Sequence, residues 1–329
     1  MVKEVGKYLF IFFFLTMLFS CQMLNRDVYA AIPVIFDTDM ESDVDDVGAL
    51  AMLHALADSN EVEILGVMVC AENPWSILCA DRINTYYDRG DIPLGQLKKP
   101  GVNRESLYAR QVAEEFPGTL ASSGDALDAV SQYRKLLASQ PDKSVVVLTV
   151  GYLTNLRDLL ASVPDHFSTL NGKDLVKQKV KSWVCMGGMF PSGREANIRW
   201  DTGASIEVVN QWPSEIIFAG WEIGNMDTAH GIPGLPEDSP VRRAYESFGR
   251  IPHKSWDQVA TLYATRGLEN GPAAGFWKLS APGQMVIDAE DGSNTWTDDP
   301  SGGHRYLIQI IPDEKIASQV NALMMHVPE

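Results

Sequence analysis

From Ala31 onward, short apolar runs rich in β-branched residues alternate with stretches of helical period. Residues 32–36, 62–69, 144–149, 180–186 and 216–219 are almost wholly apolar, which predicts strands buried on both faces. Residues 44–57 put Val47, Leu50, Ala51 and Leu53 on one side of a helix, and further helices are expected over 77–87, 126–138 and 153–161. A short strand is expected over 92–95. This order predicts an α/β fold with a mostly parallel, doubly wound sheet. The last fifty residues differ. Runs at 285–288 and 306–309 flank Glu290-Asp291-Gly292-Ser293 and Ser301-Gly302-Gly303, predicting a small antiparallel C-terminal appendage, closed by a helix over 313–325. No Pro- or Ser-rich linker and no repeat interrupts residues 31–329, so they read as one domain.

The first thirty residues stand apart. Lys3 and Lys7 precede an apolar run from Tyr8 to Phe19, too short for a comfortable membrane span and of signal-peptide length. Ser20-Cys21 closes a pattern that resembles a bacterial lipoprotein cleavage box, which would leave Cys21 lipidated. Ordinary cleavage after Val28-Tyr29-Ala30 is the alternative. The expectation is export, as a periplasmic or cell-envelope lipoprotein or a secreted soluble protein, with membrane attachment only through a lipid anchor.

Chemistry concentrates behind the first strand. Asp37, Asp39, Glu41, Asp43, Asp45 and Asp46 fall within ten residues, and no Lys or Arg occurs from Asp27 to Asp81. Carboxylates this close raise one another's pKa or share a cation, and hard oxygen ligands suit Ca²⁺ or Mg²⁺. Helix capping explains only two or three of the six. In a doubly wound sheet, ligands bind beyond the carboxyl ends of the strands. The acid cluster, Asn73 and the Val150-Gly151 turn are all expected at such ends.

A net charge of −16 over 329 residues excludes a nucleic-acid polymer as partner and leaves a small-molecule substrate. A homo-oligomer is compatible with the sequence. Cys70, Cys79 and Cys185 have no metal-ligand spacing and read as buried free thiols.

Taken in order, these segments resemble the inosine–uridine-preferring nucleoside hydrolase family. Asp37 to Asp46 corresponds to its Asp-x-Asp-Pro-Gly-x-Asp-Asp loop, here two residues longer and without the Pro-Gly. Val69 to Asn73 resembles a second strand ending in a site Asn, and Thr149 to Asn155 resembles a Gly-x-Leu-Thr-Asn turn. Met186-Gly187-Gly188, Glu195-Ala196-Asn197 and Ser255-Trp256-Asp257 resemble three later blocks. The resemblance implies a Ca²⁺ held by Asp39, Asp46, the Val150 carbonyl and Asp257. It implies that Asp45, Asn73, Glu195 and Asn197 contact ribose, that Met186 lines the pocket, and that Asp39 is the catalytic base for a metal-bound water. The implied reaction is hydrolysis of an N-glycosidic bond of a nucleoside or related ribosyl compound. Asp37 is expected to brace the loop, while Glu41 and Asp43 have no assigned role.

Three departures qualify this. Trp256 stands where many family members carry a His that protonates the leaving base, and can stack on a base or simply pack. His253 is the nearest substitute but reads first as a surface residue before a helix. Only eight residues separate Met186 from Glu195, a segment shorter than the family's, and the tail from about 284 has no counterpart. Trp277 and Trp296 in that region read as core rather than a sugar platform. The competing expectations are a non-hydrolytic Ca²⁺/sugar-binding relative and, from Asp37-Thr38-Asp39, a metal-dependent phosphatase.

Overall fold

The computed structural model describes residues 30–268 and 271–328; Cys21 and the apolar run of the leader lie outside them. Among the described residues no helix is long and apolar enough to cross a membrane. Twelve strands form the sheet. They are β1 (Ile32–Thr38), β2 (Val62–Val69), β3 (Leu94–Gln96), β4 (Leu127–Asp128), β5 (Val145–Thr149) and β6 (Val180–Met186). After these come β7 (Ser192–Gly193), β8 (Ile216–Ala219), β9 (Trp277–Leu279), β10 (Gly283–Ile287), β11 (Asn294–Asp298) and β12 (His304–Gln309).

The order is β4-β3-β2-β1-β5-β6-β8-β12-β10-β11-β7, with β9 also paired to β12. Every pairing from β4 across to β12 is parallel. The chain leaves β1 in one direction to build β2, β3 and β4. It then returns to the other side of β1 for β5 and everything after it. The order therefore reverses between β1 and β5, and the crevice beyond their carboxyl ends is where such a sheet binds ligands.

Both faces of β1 are buried, which is why its sequence runs apolar without alternation. Val34 and Phe36 belong to one core and Ile35 to the other. The period of two then aims Asp37 at Tyr133, on the side of Ile35, and Thr38 at Asp46, on the side of Phe36.

The C-terminal strands are less separate than the sequence suggests. Antiparallel strands are present as expected, but β10 pairs mainly with β11, a strand not expected from the sequence, and meets β12 at one antiparallel position, while β12 lies parallel to β8 and continues the main sheet. The short Met186–Glu195 segment supplies β7, which pairs with β11 and ties this extension to the site. Trp277 is buried beside Tyr263, and Trp296 packs on Phe190 and Tyr306, so both are core. Cys70, Cys79 and Cys185 are free and buried.

Candidate active site

The loop after β1 is folded back on itself by its own carboxylates. Asp46, in the first turn of helix Asp45–Asp58, accepts from Thr38 Oγ1 and, at 3.1 Å, from the Met40 N–H. Asp39 accepts from the Glu41 N–H at 3.3 Å. Met40 sits between them at φ 51°, a left-handed conformation that costs a non-glycine residue about 1–2 kcal/mol. The bond from Met40 N–H to Asp46, and one from Ser76 Oγ to the Met40 carbonyl at 3.1 Å, hold it there.

Asp37 braces the loop from beneath. Its carboxylate accepts from Tyr133 Oη at 2.8 Å and from Asn155 Nδ2 at 3.1 Å, and its carbonyl accepts from the Val150 N–H. Burial pushes its pKa up to about 7 against the opposing pull of those donors. The Val150-Gly151 turn comes so close that a Cβ on Gly151 would lie 2.5 Å from the Asp39 nitrogen, so only glycine fits.

Helix Trp256–Leu262 delivers Asp257 to the same place. Its N–H donates to Asp45 Oδ2 at 3.1 Å. Carboxylate oxygens of Asp45, Asp46 and Asp257 lie within 4.8 Å of one another, and all three residues are buried. Asp39, also buried, adjoins this triad, its nearest charged neighbour being Asp46. Burial first, and the neighbouring carboxylates second, hold Asp39, Asp45 and Asp257 well above the ordinary carboxylate range. Burial raises Asp46 to about 7. The charges acting on Asp257 are those of Asp45, Asp46, Asp43 and Asp39, a concentration of like charge that fits a divalent cation bound through oxygen. Val150 is buried at the end of β5, and its carbonyl already accepts from Asn197 Nδ2 at 2.9 Å. The second lone pair of that oxygen remains for a metal.

Glu195, Asn197 and Asn73, which the resemblance implies contact ribose, are held by local hydrogen bonds. Glu195 caps helix Ala196–Trp200, accepting from the N–H groups of Asn197 at 2.7 Å and of Ile198 and Gly188 at 3.1 Å. Asn197 reaches back to Val150 and to Met186 at the end of β6. Asn73 caps helix Pro74–Tyr86 through Trp75 N–H at 3.0 Å, and its Nδ2 donates to the Arg104 carbonyl at 3.3 Å.

Three residues differ from the sequence reading. Glu41, left without a role, is fully buried and accepts from Tyr152 Oη at 2.9 Å and the Arg104 N–H at 3.1 Å. Its other oxygen, Oε2, has no partner, and burial raises its pKa to about 7. His253 is not a surface residue. It is 8% exposed, pairs through its backbone with Thr228, and turns Nε2 toward Asp43 Oδ2 at 3.9 Å. That nitrogen has no hydrogen-bond partner. Trp256 is half-buried and gives its Nε1–H to the Trp221 carbonyl at 2.9 Å, with the two indoles stacked at 6.1 Å. No local pattern marks Tyr133, Tyr152 or Arg104 as neighbours of the acid cluster; they come from distant parts of the chain.

An open, mostly parallel sheet with buried carboxylates gathered beyond its switch point defines an α/β scaffold built around an acidic centre. The family model for inosine-uridine preferring nucleoside hydrolase matches residues 34–280, and the chain belongs to that family. It is thereby a hydrolase acting on N-glycosyl compounds, in a family whose members depend on a metal. No curated protein matches it. Among solved structures it is similar to the inosine-uridine preferring nucleoside hydrolase of Bacillus anthracis, with a TM-score of 0.67 at 17% identity over 89% of this chain and 99% of that one. It is also similar to the plant nucleoside hydrolase PpNRh1, with a TM-score of 0.66 at 16% identity over 89% and 99%. An inosine-guanosine nucleoside hydrolase gives 0.64 at 17% identity over 90% and 99%.

Proposed function

We propose that the chain hydrolyses the N-glycosidic bond of ribonucleosides or a related N-ribosyl compound, with Ca²⁺ as its metal. The observation that carries this reading is the meeting of Asp45 and Asp46 with Asp257, buried together from distant parts of the chain, with the buried Asp39 under the charge of Asp46. Asp39, Asp46, Asp257 and the Val150 carbonyl are the groups that would hold the ion, and an all-oxygen set favours Ca²⁺ over a softer metal. Bound there, the cation would offset the repulsion among the carboxylates and make a water in its shell more acidic.

The chain's own residues do the rest. Asp39 takes the proton of the attacking water. Asp45, Asn73, Glu195 and Asn197 hold the ribose hydroxyls, and Met186 lines the pocket. As the bond to the base breaks, the sugar becomes oxocarbenium-like, and the surrounding carboxylates stabilise that positive charge. A reducing-sugar assay on inosine and uridine tests the reading. Ribose release that a chelator abolishes and Ca²⁺ restores is expected, whereas no release from any nucleoside in the presence of Ca²⁺ overturns it.

One observation favours a second reading, that of a sugar-binding relative without hydrolysis. The indole N–H of Trp256 is committed to the Trp221 carbonyl, at the position where many family members carry an acid. Calorimetry showing tight nucleoside binding without ribose release would select it.

A further inference from the structure

Beside the acid cluster lies a space of opposite character. A cavity of about 360 Å³, a size within the range of small-molecule sites, is lined by Asn73, Trp75, Asn103, Ser106 and two arginines, Arg104 and Arg110, against one carboxylate, Glu105. It meets the candidate active site at Asn73, which borders both. The active-site residues also fix its wall. Glu41 accepts the Arg104 N–H at 3.1 Å and Asn73 donates to the Arg104 carbonyl at 3.3 Å, so the backbone of Arg104 is fastened to the acid rim.

The guanidinium of Arg104 lies 3.9 Å from the ring centre of Trp200, the last residue of the helix that carries Asn197. Stacking uses the face of a guanidinium and leaves its in-plane N–H groups for a planar or tetrahedral oxyanion. Arg104 forms no close ion pair among the described residues; Glu41 accepts its main-chain N–H, and the guanidinium charge acts on the Glu41 carboxylate from further off. Across the cavity, the guanidinium of Arg110 lies 5.3 Å from the ring centre of Trp75, with Nε bonded to Glu114 at 2.9 Å. A chain of net charge −16 thus places two arginines in one cavity at the rim of its most acidic site.

We propose that this cavity is a subsite for a phosphate group on the substrate. The preferred substrate is then a phosphorylated nucleoside or other N-ribosyl phosphate, carrying the group on the exocyclic 5′ carbon, which reaches furthest from the ring. The inference rests on the N-ribosyl hydrolase reading. In the reaction the phosphate ester stays intact. Water oxygen bonds to the anomeric carbon, the N-glycosidic bond breaks with its electron pair leaving on the base, and the base takes up a proton. The products are free base and ribose phosphate.

Two measurements on the full protein with Ca²⁺ test this. In the first, kcat/KM is compared for inosine and inosine 5′-monophosphate in the wild type, Arg104→Gln, Arg110→Gln and the double variant. The wild type is expected to favour the monophosphate by about tenfold or more, chiefly through KM. That ratio should fall toward unity in the double variant and with added salt. In the second, Asp39→Asn is titrated calorimetrically with ribose 5-phosphate and ribose, with and without the two arginines. Tighter, arginine-dependent binding of the phosphate supports the subsite even if no substrate is hydrolysed, in which case only the hydrolase reading falls. Equal turnover of nucleoside and monophosphate, or a preference that survives loss of both arginines, overturns the subsite and leaves the hydrolase reading standing. Equal binding of ribose and ribose 5-phosphate overturns it as well.

Discussion

The main-chain N–H of Asp257 donates to the carboxylate of Asp45 at 3.1 Å, across 212 residues of chain. This bond joins the first turns of two helices, Asp45–Asp58 and Trp256–Leu262, so that each presents acids toward the other. Two like charges held this way are stable only if protonated or bridged by a cation.

Asp39→Asn keeps the size of the side chain and removes both the base and a carboxylate that would hold the ion, so it is assayed at saturating Ca²⁺. Ribose release is expected to fall by roughly 10²–10⁴, the usual worth of a general base, while the circular dichroism spectrum stays native. Asp257→Asn is expected to weaken Ca²⁺ binding in a calorimetric titration. Full turnover in either variant would refute the assignment of these two residues.

Protons and metal compete for the same oxygens. Burial raises the folded-state pKa values of Asp37, Glu41 and Asp46 from the ordinary carboxylate range to about 7. A raised folded pKa gives stability that is complete below the unfolded value and lost as pH rises through the folded one. In a chelator, the melting temperature should therefore fall between about pH 4 and 8. Added Ca²⁺ should raise it more at pH 8 than at pH 5, because at pH 5 the ion must displace protons. A Ca²⁺ increment that is the same at both pH values contradicts this.

Tyr133→Phe removes one donor from a fully buried carboxylate. The loss should cost about 1–3 kcal/mol in urea unfolding, as expected for a buried group left short of a partner. It should also make the chelator-treated protein gain more from acidification, since a lost donor raises the pKa of Asp37 further. A change under about 0.5 kcal/mol would show that Asp37 is not held by this bond.

His253→Gln retains the shape of the side chain and removes its proton chemistry. If the unpartnered Nε2 beside Asp43 serves the leaving base, inosine hydrolysis drops by roughly 10²–10⁴. A riboside whose leaving group departs as a stable anion should lose little. Equal losses for both substrates mean that His253 only packs against Phe248 and Trp256.

Much of the scaffold is legible in the sequence, because a strand buried on both faces must be apolar at every position. Strands 62–69, 180–186 and 216–219 fall where the pattern places them, and the acid cluster follows β1 as expected. The C-terminal strands are only half legible. Local turn signals mark the β10–β11 hairpin, but the parallel pairing of β12 with β8, some ninety residues away, is not written locally.

The sequence by itself determined the parallel α/β scaffold and the crowd of carboxylates, since burial and charge are written in residue type and period. The tertiary structure alone decided how those carboxylates divide. Asp37 is taken by Tyr133 and Asn155, Glu41 by Tyr152 and Arg104, and Asp43 faces His253, leaving Asp45 and Asp46 to meet Asp257, with Asp39 under the charge of Asp46. The resemblance implies Asp39, Asp46 and Asp257 around one metal, but it names none of Tyr133, Asn155, Tyr152, Arg104 and His253 as partners of the other carboxylates. Each carboxylate's role is set by what packs against it, and those neighbours arrive from strands and loops far away in the chain, where no local period records them.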